Sequence, residues 1–221
     1  MELKLYVDRL SQPSRALLIF CKANGIEFEE VSIMLGKLQH RSPEYAEINP
    51  MKQVPAIVHG DFKLSESHSI LIYLASAFPG VAEHWPIFLI LLCFCQLDII
   101  LNTGIALAFG RPLDPKAAAE GEKLLSASLA TIESLWLEGD GPFLLGNSQP
   151  SIADLALVCE IMQLEVAEEK DRDRILGKHK RVLKWIEDTK NATTPYFDEF
   201  HSLLPLAKEK LKELKAQASK Q

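Results

Sequence analysis

Strand-forming patterns occupy only the opening of this chain. Up to Gly80, short alternations such as Leu3, Leu5 and Val7 trade places with helical stretches; beyond Gly80 the strand signals disappear and only helical patterns continue. A sequence divided in this way cannot build one sheet along its whole length. It requires a compact α/β unit joined to an all-helical body, and the Pro79-Gly80 pair marks the junction. With 221 residues there is material for two cores, and the expected division is 1–79 and 80–221.

Within the first unit the element order reads β-α-β-α-β-β-α. "RALLIFCKANG" is a buried helix stopped at Gly25. "EFEEVSIM" is a strand, and "RSPEYAEINP" one or two helical turns. "VPAIVHG" and "FKLSES" form a hairpin that turns at Gly60-Asp61. "SHSILIYLASAF" is a helix beginning at Ser67. In the second unit a long amphipathic helix runs from Asp114-Pro115 to Gly139. "SIADLALVCEIMQLEV", "RILGKHKRVLKWIEDTKNA" and "FHSLLPLAKEKLKELKAQ" each read as a further helix. Ser151 and Asp154 form an S-x-x-D capping box, a folding signal and not a catalytic pair.

Charge and cysteine usage exclude several classes. A net charge of −6 offers no basic surface to nucleic acid. The four cysteines, Cys21, Cys93, Cys95 and Cys159, lack metal-ligand spacing, so no metal site is expected and the thiols read as reduced, in a cytosol-like compartment. The amino terminus shows no signal-peptide pattern. The end "ASKQ" matches a peroxisomal tripeptide only loosely and lacks its terminal leucine; peroxisome and nucleus stand as alternatives to the cytoplasm. The apolar run "PIFLILLCFCQLDII" is of the length of a core helix rather than a membrane span, so membrane contact is not expected.

The stretch "SQPSRA" carries the chemical question. Ser11 stands where the first strand hands over to the first helix, and from position alone a serine there is a helix cap. The amino end of a helix also favours negative charge. A hydroxyl there can donate to an anion, and Ser14 is available as an alternative cap. Glu66-Ser67, between a strand and a helix, likewise reads either as a cap plus an acid or as partners for an ammonium and a carboxylate.

Taken together, "SQPSRA", "QHRSPEY", "INPMKQVPAIV", "ESHSILIYLA" and "PSIADL" resemble the cytosolic glutathione transferases, theta class in its plant form. The resemblance implies a thioredoxin-like α/β domain followed by an all-α helical bundle. It implies glutathione as co-substrate, with no other cofactor, and a hydrophobic electrophile as second substrate. It makes Ser11 the catalytic residue, holding the glutathione sulfur as a thiolate. Gln12, His40, Arg41, Gln53, Val54, Glu66 and Ser67 would bind the tripeptide: Val54, before a cis proline, pairs its backbone with the cysteinyl residue. Glu66 and Ser67 take the γ-glutamyl end. His40, Arg41 and Gln53 take the glycine carboxylate, where theta members usually carry lysine in place of Gln53 and the charge here has moved to Lys52.

One segment departs from the pattern. Residues 86–100 replace a long polar helix with a shorter apolar one, in the part of the family fold that lines the second-substrate pocket and the dimer contact. The expected function is therefore conjugation of glutathione to electrophiles, or reduction of organic hydroperoxides, by a homodimer. The alternative is a non-catalytic glutathione- or ligand-binding protein of the same fold that has lost its pocket.

Overall fold

A computed structural model describes residues 2–81 and 114–218 of the chain. Segment 86–100 lies outside the described residues.

The first unit has the element order read from the sequence. Strand β1 (Leu3–Val7) leads to helix α1 (Gln12–Ala23), strand β2 (Glu29–Ser32), helix α2 (Pro43–Ile48), strands β3 (Ala56–His59) and β4 (Phe62–Ser65), and helix α3 (Ser67–Ala77). The sheet order is β2-β1-β3-β4. β1 and β2 are parallel, joined through α1, while β3 runs antiparallel to both β1 and β4. The period-2 pattern of β1 is realised in its burial: Leu3, Leu5 and Val7 face the core, Lys4 and Tyr6 are half-buried. The hairpin turns at Gly60, whose φ of 62° suits a residue without Cβ.

α1 is apolar on more than one face because it is covered on more than one side. It packs against α3 within its own unit and against two helices of the second unit. Leu17, Leu18, Ile19, Phe20 and Cys21 are all fully buried. α1 is thus the hinge-pin between the two halves, and its first turn carries the site.

The second unit is helical throughout its described part: α4 (Pro115–Thr131), α5 (Ile152–Ile161), α6 (Glu169–Leu176), α7 (Lys180–Ala192), α8 (Tyr196–His201) and α9 (Leu204–Ala218). Asp114 caps α4 by accepting from the backbone of Lys116 and Ala117. Three single helices of the sequence reading are divided. The first gives way after Thr131 to a wider turn, Ile132–Trp136. "RILGKHKRVLKWIEDTKNA" breaks at Gly177, separating α6 from α7, and the last stretch breaks near Ser202, separating α8 from α9. Apolar periodicity continues across each break because both pieces pack on the same core, which hides a short interruption from a pattern read along the chain.

The capping box is formed and extended. Asp154 accepts from the backbone of Ser151 at 2.8 Å and from the Ser151 hydroxyl, while Ser151 Oγ accepts from Asp154 N at 3.2 Å. Asp154 Oδ1 also accepts from Leu144 N at 2.8 Å and from Trp185 Nε1 at 2.7 Å. One buried carboxylate therefore ties the 143–147 loop, α5 and α7 together. No helix among the described residues is long and apolar enough to cross a membrane.

Candidate functional site

The sheet topology gathers the expected site residues at one end. β1 and β2 are parallel, and β4 is antiparallel to β3, so the carboxyl ends of β1, β2 and β4 lie beside the start of β3. Ser11 follows β1, the His40-Arg41 turn follows β2, Val54 precedes β3, and Glu66-Ser67 follow β4. The pairs Tyr6–Ala56 and Ala56–Ser65 mark the three-strand rung at this end. Carboxyl ends of strands are where open α/β sheets receive ligands.

Asp8 fixes the first of these loops. Its carboxylate accepts from Leu10 N at 2.9 Å and from Leu35 N at 2.8 Å, and its carbonyl from Ser11 N at 2.9 Å. Ser11 occupies the cap position of α1 with extended backbone, yet its side chain makes no capping hydrogen bond. Only 8% of the residue is exposed, and the hydroxyl is open, not sealed in the core. Ser14 does not take over as the cap: it sits inside the first turn with a buried, unpartnered Oγ. Pro13 lacks an N–H and thus removes one of the orphan donors a cap would serve. Gln12, which the sequence left between ligand contact and exposure, is buried.

The second loop presents backbone. The Val54-Pro55 peptide is cis. The carbonyl of Gln53 is held from two sides, by Tyr45 Oη at 2.6 Å and Asn49 Nδ2 at 2.8 Å. Val54 itself lies before the first ladder pair of β3, and its N–H and C=O meet no partner among the described residues. The side chains of Gln53 and Lys52 are exposed, and Lys52 adopts a left-handed φ of 56°.

Glu66 is exposed with φ 71° and ψ 108°, a conformation that costs an ordinary residue on the order of 1–3 kcal/mol. Its carboxylate does not cap α3, and Ser67 is the first helical residue, half-buried, with its hydroxyl uncommitted. The reading of this pair as a cap plus an acid is thereby overturned. Across the sheet, His40 has a buried Nδ1 without a partner. Burial, and next the Arg41 charge, lower its pKa, so the ring is neutral at pH 7. Arg41 is exposed.

Two features of this end escaped the sequence reading. Asp8 lies outside the motifs, and Tyr45 closes "QHRSPEY" with no role assigned to it; both shape the site through the backbone they hold. Arg15 is fully buried, donating to the carbonyls of Arg9, Leu10 and Cys159 and to Gln163 Oε1. A cation at the head of the apolar run Ala16–Cys21, one turn after Ser11, was the available signal. Among the described residues, no group of His, Cys, Asp and Glu side chains could hold a metal ion.

Comparison with known proteins gives a consistent answer. The family models "Glutathione S-transferase, N-terminal domain" and "Glutathione S-transferase, C-terminal domain" match residues 1–76 and 115–188. Glutathione S-transferase T1 of Arabidopsis thaliana is 55% identical, over 95% of this chain and 91% of that one. Glutathione S-transferase T2 of the same plant is 52% identical over 99% of this chain, which spans 40% of that longer protein. The crystal structure of human glutathione transferase theta-2, in complex with glutathione and an unknown ligand, superposes with a TM-score of 0.84 at 27% identity, over 96% of this chain and 90% of that one. The thioredoxin-like sheet, the helical second half and these relatives agree: the chain belongs to the glutathione transferase family, in its theta class.

Proposed function

We propose that this protein binds glutathione along the sheet end formed by the loops after β1, β2 and β4 and before β3, and ionises its thiol against Ser11. The observation that carries the reading is the Ser11 hydroxyl: it stands at the positive end of a twelve-residue helix and caps nothing. A free thiol has a pKa of about 8.5, and each unit of depression requires about 1.4 kcal/mol of preference for the anion. A hydrogen bond to a charged acceptor contributes about 1.5–3 kcal/mol. A helix amino terminus adds about 0.3–1 kcal/mol, more when partly buried. Together these suffice to bring the sulfur to a pKa of about 6, mostly thiolate at neutral pH.

The remaining residues have complementary tasks. Val54 offers a free N–H and C=O to the cysteinyl residue, as an added strand would meet a sheet edge. Glu66 faces the γ-glutamyl ammonium, and Ser67, at the amino end of α3, its carboxylate. Neutral His40 donates to the glycine carboxylate, with Arg41 and Lys52 supplying charge and Gln53 completing that end. Gln12 packs beneath the peptide. The thiolate then attacks the electrophilic carbon of a hydrophobic substrate such as an alkyl halide, forming the thioether and releasing halide. Two copies form the working homodimer, as the family resemblance implies.

Replacing Ser11 by Ala tests this. Turnover of an alkyl halide or cumene hydroperoxide should fall about 10- to 100-fold or more, the loss of one charge-assisted hydrogen bond. The pKa of bound glutathione should return towards that of a free thiol. Unchanged turnover and an unchanged thiol pKa would remove Ser11 from this role.

A further inference from the structure

Arg15 is the most deeply buried charge near the site. It is 0% exposed, and its four hydrogen bonds all go to neutral acceptors: the carbonyls of Arg9 at 3.1 Å, Leu10 at 3.0 Å and Cys159 at 3.2 Å, and Gln163 Oε1 at 2.7 Å. Its Nε has no partner, and no carboxylate lies within ion-pairing distance among the described residues. Arginines are rarely buried so completely unless paired with an opposite charge. An arginine stays protonated even under the burial that lowers its pKa here. The fold therefore maintains a full positive charge in its interior, with Asp8 and Glu160 facing it but neither in direct contact.

Its position gives that charge a purpose. Arg15 lies one helical turn after Ser11, and its N–H donates to the Ser11 carbonyl at 3.1 Å. The same guanidinium grips the carbonyls of Arg9 and Leu10, the two residues that lead into Ser11. The other end of the fork holds α5 of the helical domain at Cys159 and the turn that follows it at Gln163. The ionisable groups facing it are Asp8 from the β1–α1 loop, Cys159 and Glu160 from α5, and His201 from α8. Burial pushes the Cys159 thiol up to about 12 and His201 down to about 4, so both are neutral at pH 7. Asp8 already serves two backbone N–H groups. Glu160, raised by burial to about 7, is only partly ionised.

We propose that Arg15 is a positioning residue for the thiolate site: it locks the loop that aims the Ser11 hydroxyl, and its unpaired charge is answered by the glutathione sulfur anion. The proposal rests on the reading of Ser11 given above and extends it to a residue that does not touch the tripeptide.

The test titrates the thiol of glutathione bound to the full chain, by ultraviolet absorption of the thiolate, in wild type, Arg15→Gln and Arg15→Lys. Binding of S-methylglutathione, which has no ionisable sulfur, is measured in parallel. Arg15→Gln should raise the bound thiol pKa by about one unit or more and lower kcat/KM at pH 7 about twofold for a one-unit rise and about tenfold for two. The loss should shrink at alkaline pH, and affinity for S-methylglutathione should change less than about threefold. Arg15→Lys keeps the charge but not the fork, and should fall between. A bound thiol pKa in Arg15→Gln equal to wild type overturns the proposal. If Ser11→Ala raises that pKa while Arg15→Gln does not, this proposal falls and the reading of Ser11 stands; a wild-type thiol as weakly acidic as in free solution sinks both. Should Arg15→Gln fail to fold, Glu160→Gln decides. Removing that carboxylate leaves the charge on Arg15 more exposed to the sulfur and should lower the bound thiol pKa, and no change overturns the proposal.

Discussion

Ser11 and Ser151 occupy the same formal place, the cap of a helix, and the fold treats them in opposite ways. Ser151 exchanges hydrogen bonds with Asp154, and that carboxylate goes on to Leu144 and Trp185, leaving every polar atom of the pair engaged. The Ser11 side chain makes no capping bond. The same holds for the acids. Asp154 is buried and fully committed, whereas Glu66 is exposed, in an unfavourable backbone conformation, and caps nothing. Buried polar groups in folded proteins are almost always paired. A cluster of uncommitted groups at one sheet end, beside a helical domain whose hub is saturated, separates the surface kept for a ligand from the part that only has to stay folded.

Asp154→Ala presses hardest on that contrast. It strips four donors of their acceptor in the interior, among them the indole of fully buried Trp185, and leaving such groups unsatisfied costs about 3–5 kcal/mol in all. Chemical denaturation should show that loss, while turnover per folded molecule at low temperature stays close to wild type. A specific loss of turnover at intact stability would erase the division between hub and site.

The interface between the two halves gives a pH signature. Burial raises the Glu160 carboxyl from 4.5 to about 7, so its stabilising effect is whole below pH 4.5 and is lost as pH climbs towards 7. Burial lowers His201 from 6.5 to about 4, so its contribution is whole above pH 6.5 and is lost as pH falls towards 4. The two slopes oppose each other between about pH 4.5 and 6.5, and wild-type stability should be nearly flat there. Glu160→Gln removes one limb. Its stability should exceed wild type at pH 8 by on the order of 3 kcal/mol and should fall on acidification. An unaltered profile would place these groups in a wetter interface than the structure shows.

Next in size is a difference of differences. Ser151→Ala should cost about 1–2 kcal/mol of stability, as the loss of a working cap does. Ser11→Ala should change stability by no more than about 0.5 kcal/mol, because its hydroxyl supports no backbone group, and should show its effect in turnover instead. Equal stability losses would mean that Ser11 is a cap after all.

What the sequence disclosed follows the same line. The seven elements of the first unit were legible because each is short, punctuated by Gly, Pro or Ser, and patterned at period 2 or 3.6. The Ser151–Asp154 box was legible because both partners lie in one local motif. The breaks at Gly177 and Ser202 were not, since packing on a shared core keeps the apolar spacing regular across them. The site was legible as separate motifs whose convergence only the strand register reveals. What stayed hidden are residues whose meaning is entirely tertiary: Asp8 linking two loops, Tyr45 holding the Gln53 carbonyl, and Arg15 gripping both the Ser11 loop and α5. Ser14 was misjudged as a substitute cap because composition near a helix start cannot show where the first turn begins.

Glu66 offers the smallest effect on stability and the finest test of the comparison. If its φ of 71° is tolerated for the sake of a ligand, glycine should relax the backbone at that point. Relief of about 1–2 kcal/mol in the folded state is partly offset by about 0.5–1 kcal/mol for the greater freedom of glycine in the unfolded chain. The net gain for Glu66→Gly is about 0.5 kcal/mol, a rise in Tm of about 1–2 °C for a domain of this size. The same change removes the carboxylate set against the γ-glutamyl ammonium, so glutathione affinity should fall about tenfold or more. Calorimetry on one preparation measures both. A protein that becomes slightly more stable and binds worse carries its strain for binding; one that loses stability and keeps its affinity would show Glu66 to be structural, on the same side of the divide as Asp154.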